Sequence, residues 1–348
     1  MTREEIQHLL EQALPLSEKA LEYACMIQFF DLGWECANAE HESEHASPLG
    51  RRDLEEVVLT KYLSPRLQSL NTKAPKAALD QTVQFLTEDR SVMQTVVANK
   101  EIYTALKEGV KVTYLDNHGE QQTDRIKIID WNKPSNNHFL VVSQMNIRGS
   151  LGKRIPDLIG FVNGIPLLFV ELKAAHVNIK HAFDDNLRDY KDTIPHLLTY
   201  NGFCMLSNGI EAKIGSITAG WEHFAEWKKV SSEEEPGTLD VNTMITGTCQ
   251  HPRFLDIIEN FIVFLEMQGG LVKILSKNHQ YLGVNNSMAA VHQLQDNQGR
   301  LGVFWHTQGS GKSISMVFFC QKVLRKVPGN WTFVIITDRK ELDEQIYK

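Results

Sequence analysis

The chain has 348 residues, of which 42% are hydrophobic and 23% charged, and its formal net charge is −7. This composition is that of a globular protein with room for two domains, and the acidic balance argues against a protein that coats nucleic acid with its whole surface. No segment approaches the ~20 apolar residues of a membrane span, and the polar start of the chain lacks a signal-peptide core, so the sequence predicts a cytoplasmic location.

The first third of the chain is predicted to be helical. Residues 2–30, 54–70 and 74–110 carry apolar side chains at helical spacing, whereas the polar segment 39–53 contains proline and glycine and predicts a loop. Glu22 lies on the first of these helices. It is a candidate for a third acidic group beside a metal site that is predicted further along the chain.

A change of pattern from residue 110 onward predicts a sheet. Short runs rich in Val, Ile, Phe and Thr are separated by segments that contain Asn, Gly or Pro, which is typical of a largely antiparallel arrangement. The predicted strands cover 110–115, 123–129, 139–146, 157–162 and 166–173. Beyond them the pattern predicts a helix at 179–193, strands at 203–207 and 212–218, a linker at 229–238 and a helix at 252–276.

Three residues at the ends of one predicted hairpin indicate a metal-dependent hydrolytic site. Asp157 begins the first strand, and Glu171 and Lys173 end the second. Two carboxylates and the main-chain carbonyl of Leu172 suit Mg²⁺, a hard cation that takes oxygen ligands. Such an ion polarises a phosphate and acidifies a water molecule, while an ammonium group offsets the charge that develops. A solvated strand end explains any one of these residues, but the combination favours a nuclease.

The turn at Asn163 and Gly164 decides whether the two acids share a face of the sheet. A two-residue turn followed by unbroken pairing would place Asp157 opposite Val170, and Glu171 would then lie on the other face. The chemistry requires a common face. The sequence therefore predicts either a three-residue loop over 162–164, with Gly164 in the left-handed region, or a β-bulge.

Residues near the acids are candidates for contact with a nucleic-acid backbone. Arg188 and Tyr190 lie on the helix predicted at 179–193, and Lys153 and Arg154 precede Asp157. Side chains of these types bind phosphate oxygens. A solvated helix face with a packed tyrosine explains Arg188 and Tyr190 equally well, so both interpretations stay open.

The segment 306–313, HTQGSGKS, predicts a phosphate-binding loop. It follows an apolar run at 301–305 that is predicted as a strand, and it precedes a predicted helix at 314–324 and a strand at 333–336. Glycines let successive N–H groups approach phosphate oxygens, and the helix N-terminus adds partial positive charge. His306 stands where this motif usually has its first glycine. The residues predicted to hold ATP and its Mg²⁺ are Gly309, Ser310, Gly311, Lys312 and Ser313.

The remaining parts of an ATPase are not present in the sequence. A second metal-binding carboxylate and an arginine finger are expected further along than residue 348. We therefore expect that this chain alone does not hydrolyse ATP efficiently.

Together, these motifs resemble those of the restriction, or motor, subunit of type I restriction–modification enzymes. Residues 304–313 resemble the ATP-binding motif of that family, including its histidine. Residues 154–157, 164–167 and 171–173 resemble its nuclease core.

Three further segments extend the resemblance. Tyr190 matches the tyrosine of a Gln-x-x-x-Tyr motif, in which Asn186 stands in place of the glutamine. Residues 278–281 resemble the segment that reads adenine in superfamily 2 helicases, and this makes Gln280 a candidate contact to ATP. Residues 337–339 and Leu342 resemble the next helicase motif.

The resemblance implies an α/β chain in two parts. The first, over 1–250, is a PD-(D/E)xK endonuclease domain with N-terminal helices and a restriction-endonuclease-like mixed sheet flanked by helices. The second, over 251–348, is the beginning of a RecA-like P-loop lobe. The resemblance also implies Mg²⁺ and ATP as cofactors, double-stranded DNA as the substrate, a DNA-positioning role for Asn186, and methyltransferase and specificity subunits as partners.

Two rival interpretations remain at this point. One is a P-loop NTPase fragment whose upstream domain is a non-catalytic module that binds DNA or a partner. The other is a non-enzymatic scaffold within a restriction complex.

Overall fold

The computed structural model describes residues 1–43, 47–115 and 118–336. The motif residues Thr337, Asp338, Arg339 and Leu342 lie outside them. The helices are α1 (Arg3–Gln12), α2 (Glu18–Asp31), α3 (Thr60–Leu70), α4 (Lys76–Thr87), α5 (Thr95–Glu108), α6 (Arg188–Thr193), α7 (Pro195–Leu198), α8 (Val241–Cys249), α9 (His251–Asn260), α10 (Asn278–His292) and α11 (Lys312–Lys326). A π-helical turn, Ala182–Leu187, runs directly into α6. Across these described ranges, no helix has the length and apolar character that a membrane crossing needs.

One six-stranded sheet forms the centre of the structure. The strands are β1 (Glu35–Asn38), β2 (Val110–Leu115), β3 (Gln121–Ile126), β4 (Phe139–Ser143), β5 (Ile147–Gly149), β6 (Gly152–Arg154), β7 (Leu158–Val162), β8 (Ile165–Leu172), β9 (Phe203–Ser207), β10 (Ala212–Gly215), β11 (Ile262–Met267) and β12 (Gly270–Leu275). The sheet order is β1-β4-β7-β8-β9-β10. β4, β7 and β8 pair antiparallel, as do β9 and β10, whereas β1 is parallel to β4 and β8 is parallel to β9.

The predicted mixed sheet flanked by helices is therefore confirmed. The description of its strands as largely antiparallel missed two parallel pairs, because a parallel neighbour arrives through a crossover that strand pattern alone does not reveal. The predicted strands at 110–115 and 123–129 are not part of this sheet. They form a separate two-stranded ribbon, β2–β3.

The inner strands are covered on both faces. Every residue of β4, β7, β8 and β9 is buried, which explains why their sequences are nearly continuous apolar runs. α2 packs on β1, β4 and β8 and supplies one of the covering layers. The site described below lies where α2 meets the ends of β4 and β8.

Trp34 joins the N-terminal helices to the C-terminal ones. Its ring lies edge-on to Phe29 at 5.3 Å and to Phe139 and Phe254 at 5.1 Å between ring centroids. Its indole N–H donates to the carbonyl of Cys249 at 2.8 Å. α8 and α9 therefore share one hydrophobic core with the central sheet.

The helix predicted over 2–30 is wrong in the middle. α1 ends at Gln12 and α2 begins at Glu18. Between them Pro15 has no N–H to donate, and Leu16 has a φ of 63°, a left-handed conformation that no helix can include. Ser17 then caps α2 by accepting a hydrogen bond from the N–H of Ala20 at 3.1 Å.

The helix predicted over 54–70 begins later than expected, at Thr60. The carbonyl of Leu54 accepts a hydrogen bond from the N–H of Arg148 at 2.9 Å instead of from a following helical turn. A contact between residues so distant in sequence is not visible in the local pattern. Tertiary structure therefore overrides helix propensity here.

The helix predicted over 252–276 is correct only as far as α9. Residues 262–275 form the β11–β12 hairpin, in which Gln268 and Gly269 make the turn and Gly270, with a φ of 111°, begins β12. The hydroxyl of Tyr103 donates to the carbonyls of Ile258 and Ile262, at 2.9 and 3.1 Å, where the helix gives way to the hairpin. The Gly269-Gly270 pair is the sequence signal that marked a turn rather than a helix.

The predicted βαβ unit at the end of the chain is present only as its helix. α11 covers Lys312–Lys326, but 301–305 and 333–336 are not strands within the part of the chain that the structure describes. A strand exists only through its ladder of hydrogen bonds to a neighbour, and neither segment has such a ladder in that part. The RecA-like assignment therefore stays a prediction.

Candidate active site and phosphate loop

The β7–β8 hairpin contains both a two-residue turn and a bulge. Val162 pairs with Ile165 across Asn163 and Gly164, whose φ angles are 51° and 79°. The register then shifts between Phe161 and Gly160, so that Gly160 faces Leu168. The three-residue loop was a wrong prediction, whereas the alternative, a β-bulge, is confirmed.

The bulge changes which residues share a face. From Leu158, which pairs with Val170, the register continues to place Asp157 opposite Glu171. Residues that face each other across two strands lie on the same side of a sheet. Lys173, two residues beyond Glu171, belongs to that side too. The hairpin therefore brings the two acids and the amine together.

The turn that fixes this register is buried and held on several sides. The side-chain amide of Asn163 donates to the carbonyl of Ile128 at 2.8 Å and to Oδ1 of Asn137 at 2.9 Å, and its oxygen accepts from the N–H of His138 at 2.7 Å. A Cβ on Gly164 would lie 2.4 Å from the carbonyl oxygen of Leu59. Only glycine fits there, because the position also has a positive φ.

Hydrogen bonds tie the acids, the amine and the main chain together. Oδ2 of Asp157 accepts a hydrogen bond from the N–H of Leu172 at 2.7 Å. The ammonium of Lys173 donates to Oε1 of Glu171 at 3.1 Å and to the carbonyl of Leu172 at 2.9 Å. A positive charge thus already contacts two of the three groups predicted as metal ligands. Oε2 of Glu171 is buried and has no hydrogen-bond partner.

Burial makes both carboxylates unusually basic. It raises the pKa of Asp157 to about 6, against the opposing effect of the hydrogen bond from Leu172. Burial and the nearby charge of Asp157 hold the pKa of Glu171 well above its ordinary value. For Lys173, burial lowers the pKa, but the carboxylates of Glu171 and Glu18 outweigh it, and the net shift is upward. Perturbed carboxylates of this kind cluster at functional sites.

The acids open onto a cavity of about 530 Å³. Its lining is mostly polar and includes five carboxylates and one lysine. The lining residues are Glu18, Lys19, Glu22, Glu40, Gln144, Ile155, Asp157, Glu171, Asn186 and Tyr190. Glu22 is 1% exposed, and burial raises its pKa to about 7. Glu22, the candidate for a third acidic group near the metal, thus lines the same cavity as Asp157 and Glu171. The sequence did not point to four other lining residues: Glu18, Lys19, Glu40 and Gln144.

The four missed residues differ in how visible they were. Glu18 and Glu22 are four residues apart on α2 and so lie on one helix face, a spacing that was available in the sequence. Gln144 and Glu40 carry no such signal. Gln144 reaches the cavity because β4 pairs antiparallel with β7, and Glu40 reaches it because β1 pairs in parallel with β4.

The donor set formed by Asp157, Glu171 and the carbonyl of Leu172 suits a hard divalent cation. The buried oxygen of Glu171 lacks a partner, and the ammonium of Lys173 already rests on oxygens of Glu171 and Leu172. In residues 1–43, 47–115 and 118–336, however, no group of three or more His, Cys, Asp or Glu side chains is close enough together to hold a metal ion. Glu22 is therefore not a third direct ligand in this arrangement.

The four predicted DNA contacts have different environments. Arg154 is bonded to Asp189, through Nη2 to Oδ1 at 2.8 Å and through Nε to Oδ2, and so its guanidinium ties β6 to α6. Arg188 is 69% exposed and 3.9 Å from Asp184. Asn186 lines the cavity beside Tyr190.

Tyr190 is buried rather than presented to solvent. It is 5% exposed, and its ring lies edge-on to Phe169 at 5.6 Å between centroids. Burial, and then the charge of Glu171, raises the pKa of its hydroxyl far above the ordinary value. The ring of Tyr190 is thus a packed side chain, as one of the two interpretations of the sequence held. Because Tyr190 also lines the cavity, it lies near Asp157 and Glu171.

The predicted phosphate loop has two glycines in the left-handed region just before a helix. Gly309 and Gly311 have φ angles of 78° and 85°, and Gly311 precedes α11 without any side-chain cap on the helix N-terminus. The ammonium of Lys312 donates to the carbonyls of His306 and Thr307 at 2.9 and 3.0 Å. Uncapped N–H groups at a helix start and a lysine folded over the loop suit a phosphate chain.

Gln280 lies beneath the loop. Its side-chain amide donates to the carbonyl of Gly311 at 3.0 Å, and its oxygen accepts from the N–H of Lys277 at 2.9 Å. His279 contributes a second contact, with Nε2 3.0 Å from the carbonyl of Ser310. A Cβ on Gly311 would lie 2.7 Å from the Gln280 amide nitrogen, so the glycine allows this close approach.

Residues 15–223, which contain the hairpin and most of the cavity, match the family described as the type I restriction enzyme R protein N terminus. The match covers more than half of the chain. The chain belongs to this family. Residues 279–348, which contain the phosphate loop, match the SWI2/SNF2 ATPase family.

Relatives of the chain are named as endonuclease subunits of type I restriction enzymes. The chain is 36% identical to the type I restriction enzyme HindI endonuclease subunit of Haemophilus influenzae over 96% of its own length and 32% of the relative's. It is 32% identical to the putative MjaIXP endonuclease subunit of Methanocaldococcus jannaschii, over 71% of its length and 26% of the relative's. The chain thus spans about a third, or less, of the curated relatives that it matches.

Proposed function

We propose that this chain carries the DNA-cleaving centre and the ATP-binding loop of the endonuclease subunit of a type I restriction enzyme. The observation that supports the proposal most is the bulge between Gly160 and Phe161, because it puts Asp157 and Glu171 on one face of the sheet. In this proposal a PD-(D/E)xK endonuclease domain covers 1–250. The first part of a RecA-like lobe covers 251–348, with α9 and the β11–β12 hairpin packed on the nuclease core.

Asp157, Glu171 and the carbonyl of Leu172 are the proposed ligands of Mg²⁺. When bound, the ion supplies charge that polarises the scissile phosphodiester and acidifies a water molecule. Lys173 then has two proposed roles. Its ammonium positions the attacking water and offsets the negative charge on the phosphate. Both effects are stronger in a partly buried cavity, because its effective dielectric constant is lower than that of water.

Double-stranded DNA is the proposed substrate. Arg188, on the exposed face of α6, is the proposed phosphate contact. Asn186 and Tyr190 orient the strand from the cavity wall, and Arg154 acts by holding α6 through Asp189. With a net charge of −7, the chain needs other subunits to grip DNA firmly, and we propose methyltransferase and specificity subunits in that role.

ATP is the proposed ligand of the phosphate loop. The N–H groups from Gly309 to Ser313 and the ammonium of Lys312 bind its phosphates, and the hydroxyl of Ser313 holds the accompanying Mg²⁺. Gln280 is the proposed contact to the adenine or, through Gly311, to the loop itself. An enzyme that acts on DNA in a bacterial or archaeal cell works in the cytoplasm, which is the proposed location.

Plasmid nicking tests the nuclease half of this proposal. The chain is incubated with supercoiled DNA and Mg²⁺ or Mn²⁺, beside Asp157→Ala, Glu171→Ala and Lys173→Ala variants whose folding is checked by circular dichroism. We expect nicking by the wild type and its loss in all three folded variants. Equal nicking by wild type and variants would contradict the assignment. No nicking by the wild type, alone or with its partner subunits, would leave a binding module joined to a nucleotide-binding loop.

A further inference from the structure

Gln144 has a strained backbone at the edge of the cavity. It follows the last residue of β4, and its φ is 56°, in the left-handed region that favours glycine. A side chain in this region has a conformational cost, and such residues persist where the surrounding structure holds them in place. They are concentrated at functional sites. Gln144 also lines the cavity that contains Asp157 and Glu171.

Two hydrogen bonds connect Gln144 to acids on opposite sides of that cavity. Its main-chain N–H donates to the carbonyl of Asp157 at 3.1 Å. Its side-chain amide donates to Oε2 of Glu22 on α2. Gln144 is therefore a bridge from the strand that carries Asp157 to the helix that carries Glu22.

Glu22 depends on this bridge for its orientation. It is 1% exposed, so its carboxylate has little water to solvate it. Oε2 takes the amide of Gln144, and Oε1 lies 3.3 Å from the ammonium of Lys19. Without the amide, the ammonium of Lys19 is the group left to hold this carboxylate. Lys19 is also 3.4 Å from Glu40, which competes for the same ammonium.

We infer that Gln144 is a positioning residue of the nuclease centre, which fixes the Glu22 carboxylate relative to Asp157 so that the cavity binds a divalent cation. This inference rests on the proposed nuclease function. Glu22 acts here through the outer shell of the cation rather than as a direct ligand. Partners of this kind change metal affinity or activity by about 10- to 100-fold.

Gln144→Gly separates this role from a structural one. Glycine keeps the left-handed backbone and the N–H bond to Asp157, but it removes the amide that holds Glu22 and the strain of the side chain. Gln298→Gly is the matched control, because Gln298 has a φ of 53° and an exposed side chain outside the cavity. Both variants are made in the whole chain. Thermal unfolding is measured without metal, Mn²⁺ affinity is measured by electron paramagnetic resonance, and nicking is measured on plasmid DNA.

We expect the melting temperature of Gln144→Gly to change little, because the relief of backbone strain offsets the lost hydrogen bond to Glu22, and we expect it to bind Mn²⁺ about 10-fold more weakly or worse. Nicking should fall by a similar factor. Gln298→Gly should not alter Mn²⁺ affinity or nicking. A Gln144→Gly protein that is less stable, with unchanged Mn²⁺ affinity, would overturn the inference and leave Gln144 as a structural residue.

Glu22→Gln and the double variant test whether the two residues act as a unit. If Gln144 works through Glu22, the double variant loses no more Mn²⁺ affinity than the weaker-binding single variant. If the losses of Mn²⁺ affinity in the two single variants multiply in the double variant, the two residues act independently, and the inference is overturned. Mn²⁺ affinity decides these points even if the wild type fails to cut DNA, so failure of the proposed function and failure of this inference are separate results.

Discussion

Oδ2 of Asp157 accepts a hydrogen bond from the main-chain N–H of Leu172 at 2.7 Å, across the open end of the β7–β8 hairpin. Because the donor is a main-chain N–H, which cannot rotate away, this bond fixes the orientation of the carboxylate. It also ties Asp157 to the residue whose carbonyl contacts Lys173. The geometry of the candidate nuclease centre is therefore set by the main chain of two strands, and side-chain substitutions should affect its chemistry more than its fold.

Glu171→Gln should abolish nicking without destabilising the metal-free protein. The Glu171 side chain is 2% exposed, and the ammonium of Lys173 offsets only part of the cost of burying its negative charge. Replacing the carboxylate by a neutral amide therefore removes a desolvation cost. Urea unfolding at pH 8 should give an unfolding free energy equal to or above that of the wild type. Glu42→Gln is the control, because Glu42 is a buried partner of Arg51, and breaking that pair should cost about 3 kcal/mol. A comparable loss in Glu171→Gln would contradict the account.

Gly164→Ala should weaken the fold through the turn that sets the register. Gly164 has a positive φ of 79°, which is unfavourable for alanine. The added Cβ would also lie 2.4 Å from the carbonyl oxygen of Leu59. We expect a loss of roughly 2–4 kcal/mol in unfolding free energy. Gly119→Ala has the same φ of 79° but nothing within 4 Å of the new Cβ, so it should lose only the conformational part, about 1–2 kcal/mol. Equal losses in urea unfolding would show that the turn is not tightly enclosed.

Lys273 should make stability depend on pH in the alkaline range. Burial lowers the pKa of its ammonium to about 7, whereas the unfolded side chain keeps its ordinary value of 10.5. Between these values the unfolded chain binds more protons, so stability rises with pH, by at most about 1.4 kcal/mol per unit. The unfolding free energy of the wild type minus that of Lys273→Met should therefore increase by about 2 kcal/mol from pH 7 to pH 9. Lys100→Met, at an exposed lysine, is the matched control for the loss of a lysine side chain.

A flat difference for Lys273→Met across this range would mean that the amine is protonated inside the fold. Its Nζ donates to Oδ1 of Asn99 at 3.0 Å and to the carbonyl of Asn201. Those two acceptors are the groups that would then have to support the charge.

Gln280→Ala separates two roles for the glutamine beside the phosphate loop. Its amide bonds to Gly311 position the loop, and the loss of one such bond should weaken phosphate binding by about 3- to 10-fold. If this is its main role, titration calorimetry should give the same weakening for ATP and for inorganic tripolyphosphate. A loss confined to ATP would favour adenine recognition instead. Lys312→Ala, which removes the ammonium proposed to bind phosphate, should weaken the binding of both ligands further.

The sequence predicted that Asp157, Glu171 and Lys173 come together better than it predicted what surrounds them. Asp157, Glu171 and Lys173 were identifiable from residue type and spacing, and parity alone required a bulge or a longer loop between the acids. The choice between them was not available, because it depends on Asn163 and Gly164 being enclosed by Leu59, Ile128 and Asn137. Those residues are distant in sequence, and no local pattern predicts their contacts.

The fold was predictable where patterns are local and strong. The inner strands and α11 follow from apolar runs. The parallel pairs β1–β4 and β8–β9 depend on crossovers, so the sequence did not reveal that Glu40 reaches the cavity. Gln144 reaches it through the pairing of β4 with β7, a contact between strands that the local pattern does not show. The sequence predicts helix for the hairpin after α9 because its apolar residues fit both periods, although the Gly269-Gly270 pair indicates a turn.

A crystal soaked in Mn²⁺ tests the central claim most directly. Anomalous diffraction near the manganese edge locates the ion independently of any assay. We predict a peak between Asp157 and Glu171, with the ammonium of Lys173 displaced from the oxygens of Glu171 and Leu172. The absence of a peak in that position at saturating Mn²⁺, or a peak only elsewhere on the protein, would contradict the account.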